Sequence, residues 1–330
     1  MMKKLFFIAA VAGVALASCT KNEPAPSVDA QQEITFMTAP LTKANEFSTS
    51  NVFESWAFYT PTDWATDHST TAAVAYGNLA DKLIKWDTTK NKWWNVGGEV
   101  FYWPKAGKLT FFSYSLNSTN TDDGVKCSTD KGIYVVDYNV NTKKDVDFLV
   151  ADIATDKTAN ESYASLNGVP TLFRHKLSNV VFTIQTTDDY TATKAFALQS
   201  ITLKNIAVEA DYQQLGTEGW SNYGADAAST TFSSAVTTFT KAVATPTAEQ
   251  SLYMPQTFDA DAVVEIVYKV TSGSAVETVT VDKKLKELFA TGWEMGKKYT
   301  CAIKVSLNEI LWAPAVEDWT AVTGGDFAIN

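Results

Sequence analysis

The chain has 330 residues, with 27 Lys and Arg against 37 Asp and Glu, and a formal net charge of −10. A surface of that sign repels nucleic-acid phosphates and argues against a nucleic-acid partner. The length suffices for two domains with separate cores, and ten Trp, thirteen Tyr and eighteen Phe among abundant Thr and Val point to β-structure.

The first 18 residues read as a lipoprotein signal peptide. Lys3 and Lys4 give a basic start, and Leu5 to Leu16 are all apolar or glycine. That run is too short to span a bilayer stably. It closes on Leu16-Ala17-Ser18-Cys19, the pattern of a bacterial lipobox. Cys19 is therefore the expected lipidation site and first mature residue, held to a membrane by acyl chains rather than by a helix. Residues 19–31, with two prolines and small polar side chains, read as a flexible tether.

Residues 32–168 hold a first set of predicted strands. Ile34 and Phe36 share one face of a strand at Glu33–Thr38. Val52–Tyr59, Trp93-Trp94, Phe101–Trp103, Leu109–Tyr114, Ile133–Tyr138 and Asp147–Ala151 follow, punctuated by Gly97-Gly98 and Pro104–Gly107 as turns. A second set, residues 169–330, opens at Val169–Leu177 and continues through Val180–Ile184 and Leu198–Leu203. Residues 211–250, rich in Ser, Thr, Ala and Gly, suggest a long excursion with one or two weak strands. Val263–Val270 and Glu277–Val281 form a predicted hairpin, and the spacing of Leu285, Leu288 and Phe289 predicts a short helix within Asp282–Phe289. Tyr299–Leu307 and Ile310–Trp319 close the chain. The expectation is an all-β fold of two antiparallel sandwiches dividing near Gly168, because half-buried strands must pair their inner faces.

Little in the sequence suggests catalysis. His68 and His175 are the two histidines, without zinc spacing or the ordered partners of a triad. His175 lies in an apolar stretch and reads as a core or hydrogen-bonded histidine. Asn120–Gly124 lacks the remaining positions of a calcium loop, and Asp122-Asp123 and Asp188-Asp189 read as solvated pairs. No cofactor or metal is expected. Cys127 and Cys301 are either a pair or two incidental thiols. Trp93-Trp94 with Tyr102-Trp103 reads as mostly core, yet adjacent tryptophans on a regular strand point to opposite faces, so one of them is expected to be exposed or at an interface.

An ordered set of features across almost the whole mature chain resembles the fimbrillin-type lipoproteins, the type V pilin superfamily of Bacteroidales. It comprises Ile34-Thr35-Phe36 before Thr42-Lys43-Ala44, then Tyr102-Trp103-Pro104 leading into Leu109–Tyr114, then Asp147–Ala151 before Phe173–Val180. Met254-Pro255-Gln256, Trp293–Tyr299 and Val316–Trp319 complete it. The resemblance implies two transthyretin-like β-sandwich domains and a non-enzymatic role as a structural or adhesive pilus subunit. It also implies export to the outer membrane as a surface-exposed lipoprotein and incorporation into a fimbrium after processing. In that family a trypsin-like protease cuts after a basic residue beyond the first strand, and another subunit's strand fills the groove left behind. Carried onto this chain, the cut falls between Lys43 and Ala44, the displaced plugs are Ile34 and Phe36, and other pilus subunits are the partners. The site has lysine where the best-known members have arginine. Phe327 and Ile329 alternate like plugs in Asp326–Asn330, which is either a donor segment or the last edge strand. The alternative is a surface lipoprotein that binds glycans and does not polymerise.

Overall fold

The computed structural model describes residues 32–38, 47–122, 124–159, 168–307 and 309–319. Glu33 onward forms one compact unit. Strands are numbered in chain order. The first six are β1 (Phe36–Thr38), β2 (Val52–Thr60), β3 (Val74–Ala75), β4 (Lys82–Asp87), β5 (Lys92–Asn95) and β6 (Lys108–Ser115). Next come β7 (Lys126–Ser128), β8 (Gly132–Asn139), β9 (Leu149–Ala151), β10 (Ala154–Lys157), β11 (Val169–Thr171) and β12 (Phe173–His175). The rest are β13 (Ser178–Thr186), β14 (Ala195–Ala207), β15 (Glu209–Gln213), β16 (Gly219–Ser221), β17 (Asp226–Phe239), β18 (Leu252–Tyr253), β19 (Val263–Ser272), β20 (Ala275–Lys284), β21 (Lys297–Val305) and β22 (Ile310–Asp318). Two single-turn helices, α1 (Trp64–Asp67) and α2 (Leu285–Leu288), interrupt them, so the fold is all-β.

The largest sheet runs β11-β1-β5-β4-β2-β6-β9-β12. Its terminal strands are consecutive in the chain. Residues 169–171 pair parallel with β1, residues 173–175 pair antiparallel with β9, and Leu172 alone separates them. One bent stretch thus brings the sheet back on itself, and the inner face becomes an enclosed aromatic core. Strict alternation decides who faces it. Phe53 and Ala57 of β2 with Leu109 and Phe111 of β6 point inward, among Phe36, Phe47, Trp93 and Phe173. Trp56, Phe58, Phe112 and Tyr114 point outward into a second core. Being buried on both faces explains why β2 and β6 read as nearly continuous hydrophobic runs.

The second core is walled by a sheet of order β16-β15-β8-β7. Phe148 packs against Tyr138 and Tyr212 there, with ring centroids 5.2 and 5.3 Å apart. β15 comes from beyond residue 168 but pairs with β8 from before it.

The C-terminal strands form two four-stranded sheets, β18-β13-β21-β22 and β17-β14-β19-β20. β13 shows why such a sequence is a strand: Ser178, Val180, Phe182, Ile184 and Thr186 are buried, and the residues between are partly exposed. In β14 the buried set shifts phase from Phe196 and Leu198 to Ile201 and Leu203. A bulge at Gln199 against β19 supplies the extra residue that this shift requires.

Two local readings are corrected. The excursion expected over residues 211–250 contains β17, the longest strand among the described residues, registered along β14 from Phe239 to Asp226. Phe101–Trp103 is not a strand; Tyr102 makes one isolated bridge to Glu33. The short helix expected within Asp282–Phe289 is present as the single turn Leu285–Leu288, preceded by residues 282–284 of β20.

Candidate functional site

β1 is one of the shortest strands of the closed sheet. Only Phe36 pairs with Trp93 of β5, and three residues pair with β11. Two further backbone bonds flank it: Ile34 N–H donates to Phe101 O at 2.7 Å, and Val169 N–H donates to Thr35 O at 2.7 Å. Side chains fix it more firmly. Ile34 and Phe36 are each 3% exposed, and Phe36 meets Phe53 and Phe111 edge-on at 5.5 and 5.9 Å. Full burial of residues of this size stabilises by about 1.5–3 kcal/mol each. Lys92 Nζ adds an ion pair to Glu33 at 2.5 Å.

Gly168 shows how closely the seam is built. Its φ is +142°, and a Cβ there would lie 2.5 Å from the backbone carbonyl carbon of Phe36. Only glycine lets the chain enter β11 directly against β1. On the other side the chain returns inward at Phe47, stacked on Phe173 with centroids 4.7 Å apart. Lys43 and Ala44 fall between these two anchored points and lie outside the described residues, as do Cys19, Phe327 and Ile329.

Toward the other end of the chain, β22 pairs with β21 alone among the described residues. Leu311 and Val316 stand exposed on it, and Pro314 removes one donor from it. Trp319 N–H donates to Gly296 O at 2.8 Å. Its ring stacks on His175, with centroids 3.5 Å apart and planes 14° apart. His175 is buried, its Nδ1 2.7 Å from Asp147 Oδ2. This structural histidine ties β12 to the loop before β9 on one side and to the exit of β22 on the other.

The remaining candidates are dispersed. His68 caps α1, with Nδ1 2.7 Å from Trp64 O and its ring stacked on Trp64. Cys127 and Cys301 are free and sit in different sheets. Burial pushes the Cys301 thiol up to about 12 and the Cys127 thiol well above its ordinary range. Among the described residues no group of three His, Cys, Asp or Glu could hold a metal. Trp93 and Trp94 do point to opposite faces, but neither is exposed. Trp93 enters the aromatic core, whereas Trp94 is only 6% exposed, with Lys90 and Lys92 ammonium groups 3.7 and 4.2 Å from its ring centroid.

The described residues thus form an all-β scaffold with an aromatic-lined closed sheet, a short seam strand β1 and the edge strand β22. Residues 57–319 match the fimbrillin-like family, and the chain belongs to that family. The matched stretch begins after β1 and the Lys43 region. No curated protein matches the sequence. Among solved structures, a fimbrial protein from Bacteroides vulgatus is similar at 16% identity and TM-score 0.59, covering 87% of this chain and 99% of its own. A candidate cell adhesion protein from Bacteroides uniformis is similar at 18% identity and TM-score 0.56, covering 88% and 99% respectively. At these identities the likeness is one of fold.

Proposed function

We infer that the protein is a non-enzymatic subunit of a cell-surface pilus, carried to the outer membrane on lipidated Cys19 and assembled by strand exchange. Membership of the fimbrillin-like family supports the pilus role. The observation that carries the exchange reading is the seam strand. β1 plugs an otherwise complete aromatic core with Ile34 and Phe36, while its backbone ladder to β5 and β11 is short. After a cut following Lys43, the described part of the released segment, residues 32–38, is held by those plugs, the short backbone ladder and the Glu33–Lys92 pair. Its departure leaves unpaired β5 and β11 edges beside an apolar slot. An extended segment from a second subunit satisfies both needs, as strand addition does generally. The segment containing Phe327 and Ile329 is the proposed donor.

Limited trypsin treatment of the soluble 20–330 protein, followed by intact mass and N-terminal analysis, tests this reading. The expected product begins at Ala44 and has lost residues 20–43. A protein resistant at Lys43, or one that keeps β1 after cutting even when a 320–330 peptide is supplied, contradicts it.

A further inference from the structure

The outer face of the β4–β5 hairpin carries a small cavity that the assembly reading does not use. It has a volume of about 130 Å³ and is lined by Lys85, Lys90, Trp94, Asn95 and the Gly98 turn. Lys85 stands directly opposite Trp94 across the hairpin. Two side chains in its wall are more than nine-tenths buried, and each carries a donor without a partner: Trp94 Nε1 and Asn95 Nδ2. The orientation of Asn95 is fixed, because its Oδ1 accepts the Gly97 N–H at 3.0 Å, leaving the amide N–H groups over. A buried donor without an acceptor is costly, and native proteins rarely leave two side by side.

The two buried side-chain groups left without a partner here are both donors. One acid, Asp87, also lines the cavity; its Oδ1 accepts the Thr89 and Lys90 backbone N–H groups at 2.9 and 3.0 Å. Its Oδ2 lies 4.0 Å from Lys90 Nζ. Lys92 is engaged by Glu33, whereas Lys85 makes no close ion pair among the described residues and reaches Asp87 only through its longer-range charge. On a chain of net charge −10, a cavity lined by two lysines and one carboxylate keeps a positive balance, and it attracts an acceptor of negative charge. The lysine ammonium groups lie over the indole by cation–π attraction. The Lys90 stem, on the surface, can swing aside to meet an anion and uncover part of the indole face. Ring and charge together suit a pyranose carrying an acidic group: the ring packs on the indole, and the oxyanion takes the Lys85, Lys90, Trp94 and Asn95 donors.

We propose that this cavity binds an acidic sugar residue, a saccharide bearing a carboxylate or a sulfate. Its lining residues all come from the β4–β5 hairpin and the turn after it, while Lys92 beside them is paired with Glu33 of the segment that the proposed exchange removes.

The test uses the intact 20–330 protein and calorimetric titration with three tetrasaccharides: hyaluronan, bearing carboxylates; κ-carrageenan, bearing sulfates; and cellotetraose, which is neutral. Indole N–H shifts are followed in parallel, with Trp94 assigned through Trp94→Phe. The expected result is binding of one or both acidic sugars and none of cellotetraose. Affinity should fall as salt rises, the Trp94 indole N–H should shift, and the surface variant Lys85→Gln/Lys90→Gln should lose at least tenfold in affinity. The tighter of the two acidic ligands identifies the anion. Binding no tighter than cellotetraose, an unchanged affinity in the double variant, or equal binding of a tetraglutamate peptide overturns the assignment.

Discussion

Truncating the plug at Phe36 is the sharpest perturbation of the seam. Phe36 is 3% exposed and touches Phe53 and Phe111 in edge-to-face geometry. Phe53 is itself fully buried and packs in turn on Trp93 and Phe173, at 5.5 Å in both cases. Because rings from several strands already interlock there, the slot cannot collapse around an alanine. Phe36→Ala should then cost about 3–5 kcal/mol, the range for a buried aromatic lost with its cavity unfilled. Urea unfolding of the uncleaved 20–330 protein reads this as a lower midpoint at unchanged slope. Hydrogen exchange gives a local check: the Val169 amide, bonded to Thr35 O, should exchange faster in the variant. A loss below about 1 kcal/mol, with Val169 protection intact, would falsify the view that β1 is held chiefly by its plugs.

Other outcomes follow from single sites. Gly168→Val places a Cβ where it would lie 2.5 Å from the Phe36 backbone; it should expel β1 and speed tryptic cutting at Lys43 several-fold, and an unchanged rate counts against the seam. Glu54 has its carboxyl raised from 4.5 to about 6, first by burial and further by the Asp81 charge, against hydrogen bonds from Thr121 and Tyr114. The folded protein therefore holds this proton more tightly than the unfolded chain, so stability declines as pH rises through about 4.5–6. The full shift corresponds to about 2 kcal/mol, and solvent screening of a half-exposed group reduces it to about 1. Glu54→Gln should thus stabilise the protein by about 1 kcal/mol at pH 7, with the difference vanishing below pH 4.5; a variant less stable at both pH values refutes this. Thiol titration of the native 20–330 protein at pH 8 should leave Cys301 unreacted and reveal two free thiols after denaturation, whereas a count of zero would mean a disulfide.

The sequence made some of this architecture legible and concealed the rest, for definable reasons. Alternation in β13 and the doubly apolar runs of β2 and β6 expose strands directly, because period-two burial is written in the residue types. β17 was concealed because Ser, Thr and Ala fill it; its extended state comes from pairing along β14, a tertiary effect that overrides weak local preference. The joining of β15 to β8 and the return of the large sheet through residues 169–175 are non-local pairings that no window of sequence contains. The opposite facing of Trp93 and Trp94 follows from strand geometry, but the cover over Trp94 does not. That cover depends on where the Lys90 and Lys92 stems fold. The partnerless Trp94 and Asn95 donors likewise emerge only in three dimensions. The burial of Ile34 and Phe36 was suggested by their spacing, yet the close approach of Gly168 to β1 carries no sequence signal beyond the glycine itself.

Negative-stain microscopy and denaturing gels of the 20–330 protein, before and after trypsin treatment, test strand exchange most directly. The account predicts monomers before cutting, then loss of residues 20–43 and growth of ladders and filaments, with Phe36→Ala assembling faster. Cleavage after Lys43 that leaves the protein monomeric at high concentration, with β1 still bound, would contradict it.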